Sequence, residues 1–358
     1  MRVLVVTVVH HPGDARIAHR EIPALLAAGH AVTFAAPFTA YGADRPVGVR
    51  ALDLPRAHGR ARLAALRRAR ALVAAEAPAH DVVLLHDPEL LLAVARSVTT
   101  PVVWDVHEDT AAAVSMKSWI PGPLRPTAAA AVARLERSAE RRVGLLLAED
   151  GYATRFAGRH AVVPNTTTVP DTVPAPGTDR VVYLGSVTRA RGALEMVEVG
   201  RRLAGEVGVE LIGPVAADVA DAVARAHAAG HVVAHGFVPN DEAVRMLDGA
   251  LAGLSLLHDE PNYRHSRPTK VIEYMAHGVP VITTPLPVAV DIVESADCGI
   301  VVPFGDVDAV VGAVRELREG VGRRVALGFE GHRAARERYD WRVQGPAFVA
   351  ALESFARA

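Results

Sequence analysis

The chain has 358 residues, 50% of them apolar and 22% charged, with a formal net charge of −1. That length exceeds what one hydrophobic core supports, so two domains are expected, and the near-neutral charge excludes a general nucleic-acid binder, which needs a basic surface to gain from counterion release. Cys298 is the only cysteine and no apolar run reaches the roughly 18 residues of a membrane span, which excludes a disulfide framework, a thiolate zinc cluster and a spanning helix, and leads to the expectation of a cytoplasmic protein.

Short apolar runs alternate with helical patterns from the first residue. Strands are predicted at 2–9, 31–36, 81–86, 101–106, 143–147 and 161–164, and helices at 15–28, 60–75 and 127–142. The first strand ends in His10-His11-Pro12-Gly13-Asp14, where Gly13 lets a ligand approach the backbone and Asp14 is placed to cap the next helix. Two adjacent histidines suggest a metal, but no third ligand stands at convincing spacing, so none is expected. The pattern at 60–75 sets Arg60, Arg62, Arg67, Arg68 and Arg70 around Leu63, Leu66 and Val73; a solvated basic face is the plain reading, peripheral contact with an anionic membrane surface the functional one. Trp104-Asp105-Val106-His107-Glu108-Asp109 ends a buried strand. His107 is the expected functional histidine at the ligand edge of the sheet, its tautomer fixed by Asp105 or Glu108. The loop from Met116 to Pro123 reads as an acceptor lid or as an irregular core plug.

Residues 166–178, rich in Thr and Pro and without period, read as an interdomain linker. Alternation resumes with strands at 180–185, 208–213, 231–235, 252–257, 279–283 and 299–302, and helices at 193–205, 216–229, 241–247 and 307–317. Such alternation specifies an α/β protein with two doubly wound, Rossmann-like domains facing a central cleft. Tyr183 to Gly192 follows a strand and opens a helix; Gly185 and Ser186 offer close backbone approach, and Arg189 and Arg191 bring fixed positive charge suited to a diphosphate. Asp306-Val307-Asp308 resembles an acidic metal pair but precedes a helical pattern, where capping explains it. The sharpest segment is Arg267 to Ile282: Pro268 suits a first helical turn, Gly278 a left-handed stop, and Pro280 blocks continuation into the next strand. Thr269 and Lys270 then flank a helix N-terminus that favours anions, and Glu273, one turn further, suits the vicinal hydroxyls of a ribose.

On these residues the chain resembles the retaining GT-B glycosyltransferases of family 4, the glycosyl transferases group 1. The pieces that carry the likeness are His11 to Ile17, Asp105-Val106-His107, Val163-Pro164-Asn165, Leu184-Gly185 with Arg191-Gly192, His235-Gly236-Phe237-Val238, and Lys270 to Ile282, in the family's order. The resemblance implies an acceptor-side domain at 1–167, a nucleotide-sugar domain at 168–338, and a helix at 339–358 that crosses back to the first domain. It implies retaining transfer of a hexose from a UDP-, GDP- or dTDP-linked sugar to a hydroxyl acceptor (a glycan, a lipid-linked sugar or a natural product), with no metal or other cofactor. Gly185, Arg189 and Arg191 would then neutralise the diphosphate, Glu273 would bind the ribose, and Gly236, Phe237 and Val238 would meet the base. His107 would contact the sugar, and Gly13 would lie by the diphosphate or acceptor. One departure stands out: His265 occupies the position of the first of the family's paired glutamates, so Asp259, Glu260, His265 or Ser266 would have to serve the sugar instead. A nucleotide-sugar epimerase on the same frame, and a sugar-nucleotide-binding protein without transfer, are the rival readings.

Overall fold

The computed structural model describes residues 1–94, 98–107, 110, 114 and 121–357. Glu108, Asp109 and residues 116–120 of the expected lid lie outside the described residues. The chain divides into two compact units, Met1–Asn165 with Arg342–Ala358, and Thr166–Trp341.

The first unit is a seven-stranded parallel sheet: β1 (Arg2–Val6), β2 (Ala31–Ala36), β3 (Arg50–Asp53), β4 (Val82–Leu85), β5 (Val102–Val106), β6 (Gly144–Leu147) and β7 (Ala161–Val162), in the order β3-β2-β1-β4-β5-β6-β7. β4 and β5 are unbroken apolar or near-apolar runs because helices cover both faces of a parallel sheet, leaving no solvent side to select polar residues. Strand order reverses between β1 and β4, and the crevice outside their carboxyl ends is where such sheets bind ligands. β3 has no counterpart among the expected strands. It is a four-residue edge strand with a charged residue at each end, the guarded composition of an edge, and this hides it from an apolar-run reading.

The expected helix at 15–28 divides into a π turn, Ile17–Glu21, and an α segment, Ile22–Ala27. The chain's last helix, Trp341–Arg357, buries Phe348 and Leu352. Glu353 lies 3.1 Å from His30, and Phe355 fills the space that a side chain at Gly144 would need.

The second unit is a six-stranded parallel sheet: β8 (Arg180–Leu184), β9 (Gly208–Ile212), β10 (Val233–Gly236), β11 (Ala252–Ser255), β12 (Val281–Thr283) and β13 (Gly299–Val301), in the order β10-β9-β8-β11-β12-β13. Here order reverses between β8 and β11. These two strands pair only through Ala252 with Val181 and Gly253 with Val182. Beyond that point the Tyr274 hydroxyl accepts from Leu184 N–H at 2.9 Å and donates to Leu254 O at 3.0 Å, so one side chain takes the place of the ladder. Gly253 makes room for it, since a Cβ there would lie 2.3 Å from the tyrosine ring.

The expected linker is no free tether. Thr166, Thr167 and Val169 are buried, and Trp341 N–H donates to Thr167 O at 2.8 Å. Its composition reads as a loop, but backbone pairing with a segment far along the chain orders it. Among the described residues no helix is long and apolar enough to cross a membrane.

Candidate functional site

In the first unit, polar residues gather where β1, β4 and β5 end. Asp87 accepts from the Thr7 hydroxyl at 3.0 Å and from Val9 N–H at 3.2 Å, which fixes the turn leaving β1. His10 Nε2 then lies 3.3 Å from Asp87 Oδ1 and 3.1 Å from His107 Nε2. On its other side, His107 donates from Nδ1 to Asp105 Oδ2 at 2.8 Å. Behind Asp105 stands Arg16, donating from both Nε and Nη2 at 2.7 Å and reaching Val163 O at 3.2 Å. Glu21 Oε1 is 2.9 Å from Arg16 Nε, and its other oxygen is 3.4 Å from His86 Nε2. A π turn closes with i to i+5 hydrogen bonds, as Ile22 N–H to Ile17 O does here, and so brings residues five apart onto one face. Arg16 and Glu21 meet for that reason; α spacing would turn them apart.

The two carboxyls diverge electrostatically. Burial alone would raise Asp105, but Arg16, His107 and His86 together hold it well below the usual carboxylate range. Burial, then the charge of Asp105, pushes Glu21 well above that range in spite of Arg16. Burial also lowers His86. Ligand atoms of His86, Asp105 and His107 lie within 4.8 Å of one another, a spacing that a metal could use. Arg16 already holds both Asp105 oxygens and supplies the positive charge that a cation would bring, so the trio is better matched to a hydrogen-bond cluster. His10 and His11 diverge: the His11 ring packs edge-on to Tyr41 at 4.7 Å, and its Nδ1 accepts Gly13 N–H at 2.9 Å.

In the second unit, Arg191 and Lys270 meet beside Gly185. A methyl group built on Gly185 would lie 3.6 Å from Arg191 Nη1, 3.7 Å from Lys270 Cε and 3.8 Å from the Tyr183 hydroxyl oxygen. The φ of +121° at Gly185 favours glycine, and any side chain would occupy this basic corner. Lys270 Nζ sits 5.1 Å from the centroid of the Tyr183 ring, whose hydroxyl donates to Ser186 O at 2.8 Å. Burial, and then the neighbouring Arg191, lowers Lys270 to about 7, with Glu273 opposing. The fold thus sets two basic groups side by side at Gly185.

One contact ties the turn Arg189–Arg191 to the segment after β11, His258 N–H donating to Ala190 O at 2.9 Å, and the His258 ring meets Glu195 of the following helix at 2.8 Å. Helix Thr269–Ala276 supplies Lys270 and a buried Glu273. Pro268 is its N-cap, not a first-turn residue as expected, and Gly278 ends it at φ +66°.

Other expected residues stand apart. Arg189 is exposed and lies 3.8 Å from Asp218, outside the Arg191–Lys270 corner. Among the substitutes for the missing glutamate, Asp259 is held by Arg264 through two hydrogen bonds of 2.7 Å, and the Ser266 hydroxyl donates to Asn262 O at 2.8 Å. His265 is exposed, as is Phe237, while Val238 packs on the core; Gly236 ends β10 at φ +71° and Thr269 is half-buried. The basic residues Arg60, Arg62, Arg67, Arg68 and Arg70 are exposed together with Leu63.

Sequence reasoning gave no role to Arg16 or Tyr183, though both lie in segments it singled out, and did not reach Glu21, His86 or Asp87. His86 and Asp87 carried a legible signal, a polar pair directly after an apolar strand. Arg16 and Glu21 carried none, because only the π turn aligns them.

Residues 178–319 match the family described as glycosyl transferases group 1. The matched residues lie within the second unit. Over its whole length the chain has the GT-B fold, two parallel-sheet α/β domains. It is similar to sucrose-phosphate synthase from Thermosynechococcus elongatus (17% identity, 100% of this chain and 99% of that one, TM-score 0.78). It is also similar to Anabaena HepE in complex with UDP-glucose (13%, 99% and 100%, 0.72) and to WaaG, a glycosyltransferase involved in lipopolysaccharide biosynthesis (14%, 98% and 99%, 0.69). No curated protein matches the chain. The Arg191–Lys270 corner falls inside the matched residues and the His107 cluster outside them.

Proposed function

We propose that the chain is a retaining, metal-independent glycosyltransferase of family 4 that moves a hexose from a nucleotide-diphosphate sugar to a hydroxyl acceptor. The observation that carries this reading is the meeting of Arg191, Lys270 and the open backbone of Gly185 inside a group 1 domain. Positive groups fixed beside one backbone position stabilise the charge that develops on a leaving diphosphate, and they do the electrostatic work of a bound metal. Glu273 in the same helix accepts hydrogen bonds from the ribose. The bond from the sugar C1 to the diphosphate oxygen breaks, the acceptor oxygen bonds to C1 on the same face, and the acceptor proton passes to the departing diphosphate. No protein base is then required. His107 contacts the sugar through Nε2.

HepE is known in complex with UDP-glucose, so UDP-glucose is the first donor to try, followed by GDP- and dTDP-linked hexoses. The exposed arginines at 60–70 suit an acceptor on an anionic membrane surface, with the protein peripheral on the cytoplasmic side. The test is incubation with each donor, with and without acceptor sugars, following nucleoside-diphosphate release and the anomeric configuration of the product by NMR. Retained configuration and acceptor-dependent release are expected. Inverted product would overturn the mechanism, donor isomerisation without acceptor would make the protein an epimerase, and binding without turnover would make it a nucleotide-sugar-binding protein.

A further inference from the structure

Arg16, Glu21, His86 and Asp105 are each 3% exposed or less. This buried set holds one guanidinium, two carboxyls and an imidazole that burial pushes toward its neutral form. If both carboxyls were ionised, one anion would lie in the interior without a counter-charge, a state that proteins avoid by keeping a proton. Arg16 gives Asp105 two parallel bonds and Glu21 a single contact, so Asp105 is the anion and Glu21 the neutral acid. The Glu21 proton faces His86 Nε2, 3.4 Å from Oε2. His86 then carries its own proton on Nδ1, 3.5 Å from Asp105 Oδ2. Neither Glu21 oxygen and neither His86 nitrogen makes a hydrogen bond of standard geometry among the described residues, so these contacts are the polar partners within their reach.

We propose that Glu21 and His86 are positioning residues which, acting through Asp105, hold His107 with its proton on Nδ1 and its Nε2 as a hydrogen-bond acceptor. An ionised Asp105 has no proton to give, so His107 Nδ1 must be the donor in their 2.8 Å bond, and Nε2 is left bare toward His10. His86 keeps that arrangement by occupying Asp105 from the opposite side, and Glu21 keeps His86 from turning its proton away. The value of the arrangement for transfer rests on the proposed contact between His107 and the sugar: a bare Nε2 accepts a sugar hydroxyl, which takes the place of His10.

The experiment uses the full chain with 15N-labelled histidine, assigned through the His107→Gln and His86→Gln variants. NMR near neutral pH is expected to show both His86 and His107 as Nδ1–H tautomers. Glu21→Gln, which keeps a neutral donor facing His86, is expected to preserve both tautomers. Glu21→Ala is expected to leave His107 a mixture and to lower kcat on the order of tenfold with the donor KM held, the scale on which a misaligned group costs rate. Glu21→Gln is expected to restore most of that loss. An Nε2–H tautomer at His107 in the wild type, or a Glu21→Gln variant as impaired as Glu21→Ala, overturns the proposal. If the tautomers are as expected while His107→Ala transfers sugar normally, the positioning stands and the contact of His107 with the sugar falls.

Discussion

Arg16 closes on Asp105 with two parallel hydrogen bonds of 2.7 Å, Nε to Oδ2 and Nη2 to Oδ1, between side chains 89 positions apart in sequence. The pair ties the start of the first helical segment to the end of β5. Removing one member leaves the other as an uncompensated buried charge. Arg16→Ala is therefore expected to destabilise the first unit by about 3–5 kcal/mol, and Arg16→Lys, which cannot form the fork, by less. Urea unfolding read by circular dichroism checks this; equal midpoints for wild type and Arg16→Ala would refute it.

Glu21 predicts an unusual pH dependence. Its folded pKa is raised by burial and by Asp105, so between the unfolded value of roughly 4.3 and the folded value the native state binds more protons than the unfolded one. Stability contributed by this group is full at low pH and falls as pH rises through that window. Glu21→Gln removes the titration, so its stability relative to wild type should grow from pH 4 upward. Thermal midpoints of both proteins across pH 4 to 8 decide the matter, and parallel curves would count against a neutral Glu21.

Burial, and then Arg191, push Lys270 down to about 7. A diphosphate favours its charged form, so above that pH binding must take up a proton, and donor affinity should weaken as pH rises from about 7 toward the unperturbed lysine value of roughly 10.4. Titration calorimetry with UDP at pH 8 in buffers of different ionisation enthalpy should show proton uptake, and Lys270→Met should abolish it. Buffer-independent heats in the wild type would contradict this.

Glu273→Ala and Arg191→Ala each remove a group proposed to hold the donor through a charged hydrogen bond, a contribution of about 1.5–3 kcal/mol. Each is expected to raise the donor KM about tenfold or more with little change in thermal midpoint. Wild-type donor kinetics in both variants would displace the site from this corner.

Gly192 has φ +82°, and a Cβ there would lie 2.5 Å from Leu256 O. Gly192→Ala combines left-handed strain with a clash against backbone, so it should destabilise the second unit by about 1–3 kcal/mol and weaken UDP binding by shifting Arg191. A variant with wild-type stability and UDP affinity would show that the turn does not set Arg191.

Strands at the centres of both sheets were legible because burial on two faces selects unbroken apolar runs, as in β4 with Val82-Val83-Leu84-Leu85. The edge strand β3 was not, since an edge strand is selected for charge. In the same way Gly185, Arg191, Lys270 and Glu273 were legible as the polar ends of strands and helices, whereas Arg189 looked equivalent to Arg191 and is turned to Asp218 instead. Local spacing placed both arginines on one turn, and packing against Tyr183 and Gly185 separated them.

The sequence alone determined the alternation of strands and helices apart from the edge strand β3, the parallel sheets they form, and which strand ends carry polar residues, because hydrophobic period and turn chemistry are properties of neighbours along the chain. Only the tertiary structure decided which of those ends converge and in what state of charge. Asp105 is held well below the usual carboxylate range and Glu21 well above it because each is buried beside the other and beside Arg16, and burial and Coulomb interaction depend on distance in space.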